Sequence, residues 1–276
     1  MNFTKMHGLG NDFIVLESLN KEIKNINDIA REACHRHFGI GADGILLVQN
    51  SNIADIKMTI INSDGSLAEM CGNGLRCFCK YVYDKGIVKK ETIKVETGAG
   101  IMTAKLSLKD GIVDTVRVDM GSPIFDKETI PFSGEIDNLK YNIDVKGTTY
   151  DASTILMGVP HTAIFVNDID DYIVVEHGKV IEKMPFFPEG TNVNFVKVID
   201  NNTIEVRTWE RGAGYTMACG TGACASAAIC MLRKVTNTSI KVSLKGGTLN
   251  ISLENNRVFM EGPAKFICEG KILLNL

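Results

Sequence analysis

The chain has 276 residues, of which 45% are hydrophobic and 23% charged, and its formal net charge is −3. That length is comfortable for two ordinary domains, and the small net charge favours neither nucleic acid nor an anionic membrane as a partner. No run of 18 apolar residues predicts a membrane-spanning helix, and the N-terminal stretch MNFTKMHGLGNDF does not resemble a signal peptide. We therefore expect a cytoplasmic protein.

The first half of the chain predicts strands, a helix and further strands. NDFIVLE follows HGLG, and ADIKMTIINSD (54–64) alternates as a strand does. A glycine-containing turn then leads into MCGNGLRCFCKYV (70–82), where a Cys-Gly-x-Gly motif precedes a predicted helix. TIKVETGAGIMTAKL (92–106) and VRVDMGSP (116–123) add the closing strands.

The second half repeats this order. TAIFVND follows GVPH, NTIEVRTWE (202–210) reads as a strand, and MACGTGACASAAICML (217–232) repeats the Cys-Gly-x-Gly motif before a helix. SIKVSLKGGTLNISL (239–253) aligns with 92–106 at a shift of 147, and RVFMEGPA (257–264) resembles 116–123. We predict two domains, 1–120 completed by a C-terminal strand at about 263–276, and 121–262, joined near Gly121-Ser122-Pro123.

The helix predicted from Ala223 to Leu232 is apolar on every face. A helix without a polar face is buried on all sides, so strands should wrap around it. The expected fold class is α/β (α+β): two pseudo-symmetric domains, each a curved mixed or antiparallel sheet around a central buried helix.

The duplicated motif places a cysteine, Cys71 or Cys219, where each helix starts. The first amides of a helix lack internal partners and carry a positive field, so they can lower a thiol pKa and bind an anion. Glycines would let the anion approach, and Asn73 and Thr221 would add hydrogen bonds. The alternative is that small residues only let each helix enter a tight centre.

Two such units facing each other across a cleft would hold one ligand between two thiols. A thiolate base on one face of a carbon acid and a thiol acid on the other can invert its stereochemistry. No cofactor is predicted, because HGLGN is too short for a dinucleotide fingerprint and GGTL lacks the P-loop lysine. No metal is predicted either: the eight cysteines include no Cys-x2-Cys pair, and we expect free thiols.

The motifs HGLGNDF, NSDGS, CGNGLRC, GVPH, TNVNF, ERGAG and ACGTGA occur in this order. In them the chain resembles the diaminopimelate epimerase family, which belongs to the pyridoxal-phosphate-independent amino-acid racemases and epimerases. The resemblance covers essentially the whole chain. It implies interconversion of LL- and meso-diaminopimelate on the route to lysine and peptidoglycan, in a fold of two α/β domains with the active site between them.

The resemblance also implies roles for individual residues. Cys71 and Cys219 resemble the two acid/base residues, and His161 with Glu210 resembles a supporting polar pair. Further residues resemble the substrate contacts; they are Asn11, Asn62, Gly72, Asn73, Asn192, Glu210, Arg211, Gly220 and Thr221. Each has a structural alternative, such as a surface pair for Glu210-Arg211, a core histidine for His161 or a turn residue for Asn11.

Four positions depart from the family pattern. Val159 stands where the family often has Asn, Gly44 where some members have Gln, and Tyr215 and Met217 where Glu and often Gln occur. These departures leave open a racemase of another amino acid on the same scaffold. A non-catalytic amino-acid-binding protein and related hydratases or isomerases remain further alternatives, which the two cysteines disfavour. A homodimer is one assembly that the sequence leaves open.

Overall fold

The computed structural model describes residues 1–133 and 137–273. The last three residues of the predicted C-terminal strand, 274–276, therefore lie outside the described residues. By the contacts within it, the chain divides into two compact units. Unit 1 comprises Met1–Asp119 and the chain from Glu261 onward, and unit 2 comprises Met120–Met260.

Unit 1 contains the first eight strands and two helices. They are β1 (Asn2–Gly8), β2 (Asn11–Glu17), α1 (Ile26–Ala33), β3 (Gly44–Gln49), β4 (Ile56–Asn62), β5 (Leu67–Ala68), α2 (Gly72–Asp84), β6 (Thr92–Thr97), β7 (Gly100–Lys109) and β8 (Ile112–Asp119). Unit 2 follows the same order after one extra strand. Its elements are β9 (Tyr141–Val145), β10 (Thr148–Met157), β11 (Val159–Phe165), α3 (Asp171–Ile181), β12 (Asn192–Asp200), β13 (Thr203–Glu210), β14 (Gly214–Tyr215), α4 (Gly220–Leu232), β15 (Ser239–Leu244) and β16 (Gly247–Glu254). The next strand, β17 (Arg257–Pro263), begins in unit 2 and its last three residues belong to unit 1. The last strand, β18 (Lys265–Lys271), pairs antiparallel with β1 in unit 1.

The two units share one pattern of strand pairing. In unit 1, β1–β2 and β3–β4 are antiparallel, whereas β2–β3 and β4–β6 are parallel. In unit 2 the corresponding pairs, β10–β11 and β12–β13, are antiparallel, and β11–β12 and β13–β15 are parallel. The edge pairing of β18 with β1 corresponds to that of β9 with β10. The mixed sheet and the internal repeat predicted from sequence are thus confirmed.

A helix packs against the strands of each unit. Helix α2 packs against β1, β2, β3, β4, β7 and β8, and α4 packs against β10, β11, β12, β13, β15 and β16. Leu75, Phe78 and Val82 of α2 are fully buried, and each such side chain stabilises the fold by roughly 1.5–3 kcal/mol. The prediction of a sheet wrapped around a buried helix is therefore confirmed.

Two further helices were not predicted. Helix α1 buries Ile29, Ala30 and Ala33 in a core with residues of β2, β3 and β4, and α3 buries Val174 and Ile181 against β12. Both helices are short and cover the outside of a sheet, so their apolar stripes span only two or three turns. No helix in the described ranges is both long and apolar enough to cross a membrane.

Candidate functional site

Both cysteines of the repeated motif occupy the residue that caps a helix. Cys71 precedes α2 and Cys219 precedes α4, each with an extended backbone. The Cys71 sulfur accepts a hydrogen bond from the Gly74 amide at 3.4 Å, and the Cys219 sulfur accepts one from the Gly222 amide at 3.3 Å. Each sulfur therefore satisfies one amide of the first helical turn, as a serine or aspartate cap would.

The third residue of each helix is a glycine in a crowded position, and the crowding is severe only at Gly222. A Cβ at Gly222 would lie 2.4 Å from Asn194 Oδ1, and a Cβ at Gly74 would lie 3.1 Å from a Leu46 methyl group and 3.4 Å from the Phe13 ring. A contact of 2.4 Å is below what real Cβ atoms show. Neighbouring strands therefore press directly on both helix starts. Gly72 and Gly220 are the first residues of the two helices and are buried.

Polar groups on two elements meet at Cys71. Its thiol donates to Asn11 Oδ1 at 3.5 Å, and Asn73 Nδ2 donates to the same oxygen at 3.3 Å. Asn11 Nδ2 in turn donates to Asp43 Oδ2 at 2.6 Å. The structure thus brings together three of the predicted site residues in unit 1, and it adds Asp43.

Cys219 lies in a more enclosed setting. Burial raises the pKa of its thiol well above the usual value, and the negative charge of Glu210 raises it further. Hydrogen bonds with the Thr221 hydroxyl and the Gly222 amide lower the pKa but do not offset burial. The prediction that the thiol pKa falls overall is therefore wrong for Cys219, because desolvation of the thiolate outweighs the stabilisation by the helix start.

His161 is fully buried on β11. Its Nδ1 lies 3.3 Å from Asn194 Nδ2, and Asn194 Oδ1 accepts from the Thr208 hydroxyl at 3.0 Å. Burial lowers the His161 pKa to about 3, and the positive charge of Arg211 also lowers it. Its Nε2 atom is buried without a hydrogen-bond partner among the described residues. His161 is therefore a neutral imidazole that can form one more hydrogen bond.

The remaining predicted residues of unit 2 lie around the end of β13. Glu210 Oε1 accepts from the Thr216 hydroxyl at 2.6 Å. The Asn192 side chain bonds to backbone groups: Oδ1 accepts from the Arg211 amide at 3.0 Å, and Nδ2 donates to the Pro160 carbonyl at 3.0 Å. Asn192 therefore fixes the chain from which Arg211 projects.

Arg211 borders a cavity of about 390 Å³ within unit 2. Its Nη1 donates to the Glu189 carbonyl at 2.8 Å, and Glu128 and Val159 lie among the other lining residues. Asn62 of unit 1 instead bonds within its own turn, where Nδ2 donates to the Ser66 hydroxyl at 2.9 Å. Within residues 1–133 and 137–273, no group of three His, Cys, Asp or Glu side chains could hold a metal ion.

The sequence model of the family described as diaminopimelate epimerase matches residues 3–125 and 153–267. The chain belongs to this family. A diaminopimelate epimerase from Clostridium perfringens (strain 13 / Type A) is 50% identical over 99% of this chain and 100% of its own length. One from Caldanaerobacter subterraneus subsp. tengcongensis is also 50% identical, over 99% of both chains. As a member of the diaminopimelate epimerase family, the chain is an isomerase. These relatives do not favour a racemase of another amino acid over a diaminopimelate epimerase.

Solved structures share the fold at low sequence identity. A probable proline racemase from Agrobacterium radiobacter K84 has a TM-score of 0.73 at 17% identity, over 99% of this chain and 93% of that one. A hydroxyproline epimerase from Agrobacterium vitis has a TM-score of 0.69 at 16% identity, over 99% and 90%. The fold class predicted from sequence is therefore confirmed.

The four departures from the usual diaminopimelate epimerase pattern have different surroundings. Gly44 pairs with Asn62 across β3 and β4, and a Cβ at Gly44 would lie 2.6 Å from the Ile61 carbonyl oxygen. No larger residue fits there without a shift of the strand. Val159 is half-buried beside Arg211 in the cavity described above.

Tyr215 ends β14, and Met217 lies between β14 and α4. The Tyr215 hydroxyl bonds to Asp171 of α3, and the Lys245 ammonium lies 4.6 Å from the ring centre. Tyr215 thus anchors β14 to α3, whereas the Met217 side chain is exposed.

Sequence reasoning missed four polar residues that shape these surroundings: Asn194, Thr208, Asp43 and Arg76. Thr208 carries a usable signal, since it is a polar residue on the buried face of the alternating strand β13. Asn194 carries none, because β12 is buried continuously over 192–196 and alternation does not single this residue out. Arg76 lies on a buried helix and is fully buried, and a buried arginine requires partners. Asp43 has no such signal.

Proposed function

We propose that this protein interconverts LL- and meso-diaminopimelate, with Cys71 and Cys219 as the two acid/base groups. The observation that carries the mechanism is the repeated cysteine-capped helix start, present once in each unit of a chain of this family. We take the two units as the two epimerase domains, 1–120 with about 263–276 and 121–262. The place of action that we propose is the cytoplasm.

The chemistry requires both thiols. One sulfur, as thiolate, removes the α-proton from one face of the substrate carbon, and the other, as thiol, delivers its proton to the opposite face. The base ends the turnover as a thiol and the acid as a thiolate, so the reverse reaction uses the same groups in exchanged roles. This scheme requires the two sulfurs to reach opposite faces of one α-carbon.

The helix starts would stabilise the charge that develops in the transition state. When the α-proton leaves, negative charge moves onto the α-carboxylate. We infer that this carboxylate binds at Gly72-Asn73 and Gly220-Thr221, where first-turn amides can donate to it. The neutral His161 would contribute a hydrogen bond from the imidazole rather than a full charge.

The far end of the substrate requires an anion site. We infer that Arg211 binds the distal carboxylate, because a guanidinium can donate two parallel hydrogen bonds to it. Asn192 would contribute by holding the Arg211 backbone, as described above. Asn11, Asn62 and Glu210 are the other contacts that we assign to the substrate.

The test is incubation with LL-diaminopimelate in D2O. The solvent-exchanged thiol should deliver one deuteron, so meso-diaminopimelate should carry one deuterium at the inverted α-carbon, seen by mass spectrometry and chiral chromatography. Simple L-amino acids should be poor substrates for the wild type and for Val159→Asn. Faster turnover of a simple amino acid than of diaminopimelate by the wild type would favour the racemase alternative. No deuterium in any product would exclude the two-thiol chemistry.

A further inference from the structure

A chain of three side-chain hydrogen bonds runs past Cys71 in unit 1. Arg76 Nη2 donates to Asn73 Oδ1 at 2.8 Å, and Asn73 Nδ2 donates to Asn11 Oδ1 at 3.3 Å. Asn11 Nδ2 donates to Asp43 Oδ2 at 2.6 Å. All three bonds point the same way, from a cation at one end to an anion at the other.

The two ends determine how the amides between them are turned. A guanidinium can only donate and an ionised carboxylate can only accept. If the Asn73 amide were reversed, its NH2 group would face the Arg76 guanidinium; a reversed Asn11 would face Asp43 with its oxygen. Arg76 and Asn73 are buried, where mismatched polar groups are costly.

Each end is itself held by other groups. Arg76 also donates to the Pro263 and Gly72 carbonyls, at 3.3 and 3.4 Å. Asp43 Oδ2 also accepts from the Asp12 amide at 3.0 Å, and Asp43 Oδ1 pairs with Arg36 at 2.6 Å.

Other charges belong to the same cluster. Asp12 pairs with Lys5 at 2.6 Å and with Arg36 at 2.9 Å. Burial alone would favour the neutral carboxyl of Asp12, but hydrogen bonds from Arg36 and Lys5 hold its pKa below the usual value. Asp43 therefore joins the hydrogen-bond chain to an ion cluster formed with Lys5, Asp12 and Arg36.

We propose that Asp43 and Arg76 are positioning residues, which fix the amides of Asn11 and Asn73 from the two ends of this chain and so keep a carbonyl oxygen against the Cys71 thiol. That oxygen, Asn11 Oδ1, accepts a hydrogen bond from the Cys71 thiol, with 3.5 Å between sulfur and oxygen. An acceptor beside the sulfur favours the thiol, whereas a reversed amide would offer N–H and favour the thiolate. The chain thus keeps an acceptor on the Cys71 thiol, while the Gly74 amide donates to the same sulfur; only the use of that proton on a substrate rests on the proposed function.

Unit 2 lacks the means to build such a chain. At the shift of 148 that relates Cys71 to Cys219, the positions of Asn11 and Arg76 hold Val159 and Cys224. Neither a valine nor a cysteine can replace an amide or a guanidinium in the chain. This hydrogen-bond chain therefore acts on Cys71 and has no counterpart at Cys219.

Two substitutions at Asp43 separate amide orientation from charge. Asp43→Ala removes both the acceptor for Asn11 and the negative charge. Asp43→Asn removes the charge but keeps an oxygen acceptor, which the Asp12 amide should hold in the place of Asp43 Oδ2. Asp43 is exposed, so both variants should fold, which thermal unfolding checks. Asp28→Ala is the matched control, since it breaks an exposed ion pair with Arg31 in the same unit.

The readout is the alkylation rate of Cys71 by iodoacetamide at fixed pH without substrate, followed on the Cys71 peptide by mass spectrometry. Asp43→Ala should raise the rate about fivefold, the equivalent of one hydrogen bond, while Asp43→Asn and Asp28→Ala stay within about twofold of wild type. An equal rise in both Asp43 variants would assign the effect to charge and overturn the proposal, as would no rise in Asp43→Ala. Because no substrate is used, a wild type that alkylates as expected but does not epimerise diaminopimelate would refute the proposed function alone.

Discussion

The two units place chemically different side chains against the same helix start. At the shift of 148, Phe13 and Leu46 of unit 1 correspond to His161 and Asn194 of unit 2. In unit 1 a phenyl ring and a methyl group lie closest to the third residue of the helix, whereas in unit 2 an amide oxygen does. One backbone scaffold therefore supports an apolar wall in one copy and a buried polar network in the other.

The difference extends to how each thiol is held. Cys71 donates to an amide that is tied to the surface ion cluster through Asp43. Cys219 is buried beside Glu210, and its thiol pKa is raised. Duplication of a motif thus conserves the position of a sulfur on a helix but not its electrostatic surroundings, which the neighbouring strands supply.

The largest expected effect tests whether both thiols are needed despite these different surroundings. Cys71→Ala and Cys219→Ala should each lower kcat for epimerisation by about 10³-fold, since each direction requires one base and one acid. Circular dichroism should show that both variants fold. Near-normal turnover in either variant would mean that one unit alone performs the chemistry.

A second pair of substitutions tests the walls around the helix starts. Gly222→Ala should destabilise the protein by about 1–3 kcal/mol more than Gly74→Ala, because it forces Asn194 aside while Leu46 can shift. Both changes share the gain of about 1 kcal/mol from alanine in a helix. Urea unfolding measures the difference.

Activity provides the second comparison for these glycine variants. Gly222→Ala should also lose more activity, since Asn194 contacts His161. Equal losses of stability and activity in the two variants would show that the polar wall of unit 2 is no more rigid than the apolar wall of unit 1.

The smallest effect concerns the titration of His161, whose counterpart Phe13 cannot titrate. Folding lowers the His161 pKa to about 3, below the unfolded value of about 6.5. Between these pH values the unfolded chain binds more protons than the folded chain. The contribution of His161 to the free energy of unfolding is therefore fully present above about pH 6.5, and it falls as the pH drops, by up to about 1.4 kcal/mol per pH unit.

The measurement is the free energy of unfolding at pH 7 and pH 5. The drop between the two pH values should be smaller in His161→Gln than in wild type. His37→Gln, at an exposed position, is the matched control for the substitution itself. The same pH dependence in wild type and His161→Gln would show that the buried imidazole does not remain neutral.

Much of the fold follows from patterns that are visible locally. The hairpin at 92–106 and its copy at 239–253 appear as β6–β7 and β15–β16, because strand alternation and glycine turns act over few residues. Helix α4 was predictable because its apolar residues leave it no solvent face. Helices α1 and α3 were missed because the apolar stripe of each is short, and such a stripe can be assigned to a helix only once the sheet that it packs against is known.

The sequence by itself determined the repeat, the buried central helices, the cysteine at the start of each and the family. These depend on the order of residue types along a few turns or strands, and on identity across the whole chain. Only the tertiary structure decided what surrounds each sulfur. Asp43 and Arg76 reach Cys71 through two amides, and Cys219 has its thiol pKa raised by burial. Such contacts join strands and helices far apart in sequence, and desolvation depends on everything packed around a group, so no local pattern encodes them.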